Sequence, residues 1–279
     1  MGFTSLSSYA IQSGDTFICN QKIEGLNVSD LAWGTIHAKT TILSFYVYSS
    51  LTGTFGGSIR NHDGGRSYPF QYTINQSNTF ERKIIVIPGD TTGSWVVTKE
   101  IGIQIGFGLG VGSTYSGTAG SWAGTNYLSS TGATSVVGTN GATFYITGVQ
   151  FECGTVATPF EHRPYAIEHI LCQRYLPIFM MIGTMGNGIG YDVNKVIITM
   201  PFKTAARRNP TGILVVNTNY FNVCDGVSVF TASSIAYYPS NVDYGGIDVT
   251  TTTNGAVAYR PYYGYAGGPV KILFTGCEL

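Results

Sequence analysis

Cleavage of a glycosidic bond needs two carboxylates facing it, about 5–10 Å apart. The acidic residues of this chain, among them Asp30, Asp63, Glu81, Asp90, Glu100, Glu152 and Glu161, fall mostly at turns and strand ends, where such residues cap loops. Asp243 and Asp248 come nearest to a paired site and are expected to flank a turn. There is no G-x-S-x-G elbow. The glycine run Gly106–Gly112 is followed by neither Gly-Lys-Ser/Thr nor a helical pattern, so it is no phosphate loop. His37, His62, His162 and His169 lie at no metal-ligand spacing, and no loop is oxygen-rich in the manner of a calcium site. The five cysteines (Cys19, Cys153, Cys172, Cys224 and Cys277) are odd in number and widely spaced, and they read as buried free thiols of a chain assembled in a reducing cytosol. No catalysis, metal or cofactor is expected.

Recognition has better raw material in 19 Tyr, 15 Phe and 3 Trp. An aromatic ring stacks on the C–H face of a sugar, and Tyr adds a polar tip at low entropic cost. Tyr262, Tyr263 and Tyr265 stand in a segment, Tyr259–Tyr265, that reads as a loop. Tyr237, Tyr238 and Tyr244 are near them in sequence. Adjacent tyrosines cannot all enter one core from a strand. These six, with Trp122 and Tyr127 from a Ser/Gly/Thr-rich loop, are the candidate ligand-binding residues. Packing or a subunit interface is the plainer role for them. Trp33 and Trp95, near strand ends, are expected in the core, and Arg207-Arg208 either pair with carboxylates across an interface or sit on a solvated turn.

The elements that must hold these side chains are strands. In TTILSFYVYSS, Ile42, Ser44, Tyr46 and Tyr48 face one way and Leu43, Phe45 and Val47 the other. Thr143–Phe151 places Tyr145, Thr147, Val149 and Phe151 on one face and Phe144, Ile146, Gly148 and Gln150 on the other. Neither face is strongly polar, which predicts a strand covered on both sides or lying deep in a sandwich. Pro159 cannot continue a ladder, and Phe160 after it is expected to act as a plug. Strands recur about every 8–12 residues with turns between, the spacing of an antiparallel sandwich or jelly roll. Ala166 to Tyr175, bounded by Pro164 and Pro177, follows helical spacing. Beyond it, Leu176–Met181, Lys195–Phe202, Ile213–Val216, Val227–Ala232, Ile247–Thr252, Val257–Tyr259 and Lys271–Thr275 read as short strands.

The run ITGVQFECGTVATPFEHRPY, followed by Glu168 and Leu171-Cys172-Gln173-Arg174-Tyr175, resembles the signature that ends the β-sandwich module of many tailed-phage tail-fibre and related virion proteins. There the pattern is roughly V-Q-L-E-x-G-x-x-A-T-P-F-E and then E-L-x-x-C-Q-R-Y. This chain departs at Phe151 and at His169-Ile170. KIEGLNVSDLAWGTIHAKTTILSFYVYSS and TGTFGGSIRN resemble the same module, and Ala205–Thr211 is similar to a turn of the companion domain in those proteins. The resemblance covers most of residues 20–176. It implies a carbohydrate-module-like jelly roll and a virion protein, usually trimeric, with recognition in the distal domain.

Composition is compatible with this. Charged residues make up 11%, against about 25% in ordinary soluble domains, so the surface is Ser-, Thr-, Asn- and Gly-rich or partly buried against copies of itself. The formal net charge is 0, which recommends neither nucleic acid nor an anionic membrane. No apolar run approaches the ~20 residues of a membrane helix. No fixed repeat of the solenoid kind occurs.

The expected fold is all-β. A jelly-roll-like sandwich spans residues 1–165, a helical connector 166–176, and a smaller C-terminal β-sandwich 177–279 that faces the receptor or holds a trimer together. The expected function is a non-enzymatic virion protein of tail-fibre type, assembled in the host bacterial cytoplasm. Its expected partners are further copies of itself (a homotrimer), other virion proteins and a bacterial surface polysaccharide. The alternatives are a capsid-decorating or head-fibre adaptor without receptor binding, and a polysaccharide-degrading tailspike.

Overall fold

The computed structural model describes the backbone of residues 1–279 and every side chain except that of Met181. The chain divides into two units, Met1–His162 and Arg163–Glu278. The boundary falls three residues before the expected one, and the helix groups with the second unit instead of standing apart as a connector.

The first unit contains β1 (Gly2–Thr4), β2 (Thr16–Glu24), β3 (Thr41–Ser49), β4 (Gly53–Arg60), β5 (Ser67–Ile74), β6 (Glu81–Ile87), β7 (Ile101–Val111), the two-residue pair β8 (Ser116–Gly117) and β9 (Ser129–Ser130), and β10 (Thr143–Cys153). One antiparallel sheet has the order β1-β10-β3-β6 and the other β2-β7-β4-β5. Both supply one core. Leu43, Phe45, Val47, Phe144 and Ile146 come from the first sheet; Phe55, Ile59, Phe70, Ile103, Ile105 and Phe107 come from the second. Strand alternation explains the supply, since every second residue of β3, β4 and β7 is apolar and dry. All three tryptophans meet edge to face beside this core, at centroid distances of 4.8 Å (Trp33–Trp95), 5.2 Å (Trp33–Trp122) and 5.5 Å (Trp95–Trp122).

A bulge in β10 overturns part of the expected facing. Thr147 lies opposite Tyr46 and Gln150 opposite Ser44, so Gly148 and Val149 share one partner position. Gly148 takes φ +57° there, a left-handed conformation that glycine adopts without strain. The extra residue inverts the side-chain parity downstream. Phe151 turns to the core, where it meets Trp33 at 6.1 Å, while Gln150 and Glu152 turn outward with Tyr145 and Thr147. The outer face is also open: Tyr145 and Val149 are about two-fifths exposed.

The second unit begins with helix α1 (Tyr165–Gln173). Seven strands follow: β11 (Ile178–Asp192), β12 (Lys195–Pro201), β13 (Gly212–Val216), β14 (Phe221–Cys224), β15 (Val229–Tyr238), β16 (Tyr244–Thr251) and β17 (Pro261–Thr275). Their order, β11-β12-β16-β15-β14-β17, closes on itself because β17 also pairs with β11. The unit is therefore a six-stranded antiparallel barrel, with β13 added beside β17, and not the small sandwich expected. Two long strands make closure possible. One edge of β17 takes β11, and the other takes β14 at 263–266 and then β13 at 271–275. Pro269, which has no N–H to give, falls between those two pairings. Every second residue of β17 points inward, from Tyr262 through Gly264, Ala266, Gly268, Val270 and Ile272 to Phe274. Small residues in the first half let opposite walls approach, and larger ones fill the second half. Tyr259–Tyr265, expected as a loop, is thus mostly the start of the barrel's closing strand, and Val257–Tyr259, expected as a strand, is not one.

Candidate functional site

A concavity lies on the outer face of β3, β6 and β10. It is a cleft of about 560 Å³ lined by Tyr46, Arg82, Thr147, Gly148, Pro159, Phe160 and His162. The sheet supplies the floor. Tyr46 and Arg82 face each other across β3 and β6, and Tyr46 lies opposite Thr147 across β3 and β10. The segment that follows β10 supplies the wall.

That wall is held by the two side chains the bulge turned outward. The Glu152 carboxylate accepts from the Thr158 backbone N–H at 2.9 Å and from the Thr158 hydroxyl at 2.7 Å. Gln150 Nε2 donates to Thr158 Oγ1 at 2.7 Å, and its Oε1 accepts from the Glu161 N–H at 2.9 Å. Arg82 Nη2 donates to the Thr158 carbonyl at 2.6 Å. These bonds lay Phe160 over the bulge. A Cβ added to Gly148 would sit 3.1 Å from the Tyr46 ring and 3.8 Å from the Phe160 ring. The His162 ring meets Phe160 edge-on at 5.0 Å. The donated hydrogen bonds, those of Thr158 first, hold the Glu152 carboxyl below its ordinary value.

Two exposed aromatic faces, Tyr46 and Phe160, therefore stand beside one guanidinium and one imidazole. The aromatic surface continues along the sheet. Tyr48, two residues from Tyr46, meets Tyr145 edge-on at 5.4 Å and Phe80 at 5.3 Å, and its hydroxyl donates to Asn78 Oδ1 at 3.1 Å. Such a surface can stack on the C–H faces of sugar rings while Arg82 and His162 bond hydroxyl or carboxylate oxygens.

The expected ligand-binding residues do not converge. Trp122 is half-buried, donates Nε1 to the Pro88 carbonyl at 2.8 Å and lies under the Arg66 guanidinium at 6.0 Å. The Tyr127 ring lies against Gly117. Tyr262 is buried in the barrel core, where its hydroxyl accepts from the Val257 N–H at 3.0 Å, so it presents no ligand-facing surface. Tyr237 is half-buried, and its hydroxyl donates to the Pro210 carbonyl. Tyr263 and Tyr265 share the outer wall of β17, while Tyr238 ends β15 and Tyr244 begins β16, neither of which pairs with β17. Val229 is opposite Cys224, which is opposite Tyr263. Tyr238 is nine residues further along β15, about 30 Å of strand.

Asp243 and Asp248 do not flank a turn. Asp243 precedes β16 and Asp248 lies within it, about 16 Å along the chain, too far for one glycosidic bond. Asp248 Oδ1 is buried without a partner. Cys153 and Cys172 are exposed and Cys19 is half-buried, so only Cys224 and Cys277 match the expectation of burial; all five are free thiols. Among the described residues there is no group of three or more His, Cys, Asp or Glu able to hold a metal ion. Among the same residues no helix is long and apolar enough to cross a membrane.

Sequence reasoning missed Tyr46, Arg82, Phe160 and His162 as a group. The outward position of Tyr46 was legible from alternation, but the bulge that turns Gln150 and Glu152 toward Thr158 was not. Comparison of the chain with protein-family models, with curated proteins and with solved structures finds no match.

Proposed function

We propose that this chain is a non-enzymatic virion protein of tail-fibre type that attaches to a bacterial surface glycan, and that the glycan lies in the Tyr46–Phe160 cleft. The observation that carries the reading is the cleft itself, two exposed aromatic faces that line one concavity with Arg82 and His162. The phage-like signature supports it in a second way. Its Gln150, Glu152, Thr158 and Phe160 are the residues that build the cleft wall.

The strand order of the first unit supports reading it as a jelly-roll-like sandwich. Strands 1, 3, 6 and 10 share one sheet and 2, 4, 5 and 7 the other, as two interleaved Greek keys require. A homotrimer, other virion proteins as partners and location in the virion belong to the same proposal. Several copies of a shallow cleft would turn weak sugar contacts into firm attachment through avidity.

The test is retention of purified protein on immobilised polysaccharide from candidate host bacteria. Tyr46→Ala and Phe160→Ala are each expected to weaken retention at least tenfold, since losing one stacked ring costs about 1–2 kcal/mol per site and avidity multiplies the loss. The double variant of Tyr263→Ala and Tyr265→Ala is expected to leave it unchanged. Retention lost with the barrel tyrosines and kept without the cleft aromatics would move the site to the second unit. Shortened polysaccharide chains after incubation would replace attachment by depolymerisation.

A further inference from the structure

The Tyr46–Phe160 cleft has Arg82 and His162 in its lining and, among the described residues, no carboxylate. Three other arginines of the chain do meet an acid. Arg66 reaches Asp90 at 2.6 Å, Arg260 reaches Asp225 at 3.0 Å and Arg163 reaches Glu168 at 3.4 Å. Lys83, the next residue after Arg82 on β6, reaches Glu81 at 2.6 Å. Arg82 is exposed, and its hydrogen bond to the chain runs to a neutral group, the Thr158 carbonyl, at 2.6 Å. The nearby carboxylates of the strap are engaged elsewhere. Both Glu152 oxygens accept from Thr158, and Oε1 accepts from Gln150 Nε2 as well, at 3.2 Å. Glu161 is exposed outside the lining. The Arg82 charge is the least of the influences that lower the Glu152 carboxyl, with the bonds from Thr158 foremost.

A guanidinium presents two planar forks, Nε with Nη2 and Nη1 with Nη2, and Nη2 places one hydrogen in each. The Thr158 carbonyl takes one hydrogen of Nη2. It therefore occupies one fork and leaves the other whole. The same bond ties the guanidinium to the strap that carries Phe160, so less side-chain freedom is left to lose when an anion binds. His162 is exposed and meets Phe160 edge-on at 5.0 Å, which leaves its ring nitrogens open to an oxygen acceptor. A sugar hydroxyl would satisfy these donors without meeting the charge. A carboxylate would do both, and charge-assisted bonds are about twice as strong as neutral ones.

We propose that the saccharide bound in this cleft is acidic, of the uronic-acid class. Its carboxylate seats on the open fork of Arg82 while the C–H face of the ring stacks on Tyr46 or Phe160. The inference rests on the glycan reading above and adds the chemical class of the sugar, from the charge of the lining.

The experiment divides immobilised polysaccharide from each candidate host in two. In one half the carboxyl groups are reduced to primary alcohols, which keeps every ring and linkage. The full chain is expected to be retained at least about tenfold less on the reduced half, since several copies multiply the loss of one charge-assisted contact. Arg82→Gln on the native half is expected to match the unaltered chain on the reduced half, and to respond less than about twofold to reduction, as two changes at one contact should. Soluble sodium glucuronate is expected to displace the unaltered chain from the native half; glucose and inorganic phosphate at matched ionic strength are not. Equal retention on the two halves would overturn the acidic class and leave the glycan reading standing. Displacement by phosphate equal to that by glucuronate would overturn the carboxylate. Loss of Arg82→Gln from both halves, below the unaltered chain on the reduced one, would make Arg82 a brace of the strap and overturn its role as anchor. Retention on neither half from any host would overturn the glycan reading, and this inference with it.

Discussion

The two units hide their strand edges and apolar faces differently, and the difference decides which of them can form a cleft. The second unit closes six strands into a ring, so its aromatic residues either fill the interior, as Tyr262 and Phe274 do, or lie on an outward wall, as Tyr263 and Tyr265 do. The first unit keeps two open sheets, and β10 runs on into a segment that folds back over its own outer face. An open sheet with a returning strap makes a concavity, whereas a closed wall facing solvent does not. Tyrosine count is therefore a poor guide to a recognition surface. The barrel tyrosines were the more conspicuous in sequence, yet Tyr46, Tyr48 and Tyr145 of the first unit lie side by side across β3 and β10.

The sharpest way to break this contrast is to deny the barrel its closure. A Cβ on Gly188 of β11 would lie 1.7 Å from the Ile197 carbonyl oxygen. Gly188→Ala is expected to destabilise the second unit by about 4 kcal/mol or more, because neither backbone can move without breaking the ring. The same change at Gly106 of the open sheet, where the nearest atom is 3.7 Å away, is expected to cost less than about 1 kcal/mol. Denaturant unfolding of the two variants would measure the gap, and equal effects would remove the argument from closure.

A smaller effect is expected at Asp90, which braces the tryptophan cluster of the open unit. Its carboxylate, 2% exposed, takes the Arg66 fork, the Thr92 N–H and hydroxyl, and Trp95 Nε1. Burial pushes the carboxyl up, but hydrogen bonds from Arg66 and Thr92 outweigh it and hold the value below the ordinary 3.8. Asp90→Ala strands a partly buried guanidinium and is expected to cost about 2–4 kcal/mol. The folded value is the lower one, so this support is complete above the ordinary value and is lost as pH falls through the folded one. Tryptophan fluorescence during acid unfolding would report the loss, and Asp90→Ala should flatten that part of the profile.

The smallest expected effect separates strap from sheet. Glu152→Gln keeps the shape but loses the charge on the two bonds to Thr158, a change of about 1 kcal/mol. Glycan retention is expected to fall severalfold while the melting temperature of the first unit barely moves. Because the Glu152 carboxyl is also held below its ordinary 4.5, retention should stay level above that value and drop as pH falls beneath it. A large loss of stability in this variant would show the strap to be part of the core and not a wall laid upon it.

Local pattern alone determined much of this protein. Period-two alternation marks Leu43, Phe45 and Val47 as dry, Glu100 to Val111 as a strand and Lys195–Phe202 as another. The helix was equally legible, expected at 166–175 and found at Tyr165–Gln173. Glycine and proline hid the rest. PYYGYAGGPVKILFT alternates perfectly, yet its Gly and Pro residues read as a turn because they usually are one.

Only the tertiary structure decided that β17 would join strands lying up to about eighty residues before it in sequence, that one extra residue at Gly148 would turn Gln150 outward, and that Tyr46 and Phe160 would meet. The physical reason is the same in each case. Alternation along a chain reports which side of a strand is dry, but not which strand lies beside it. That choice is made by hydrogen bonds and packing between residues far apart in sequence, where no local pattern is written.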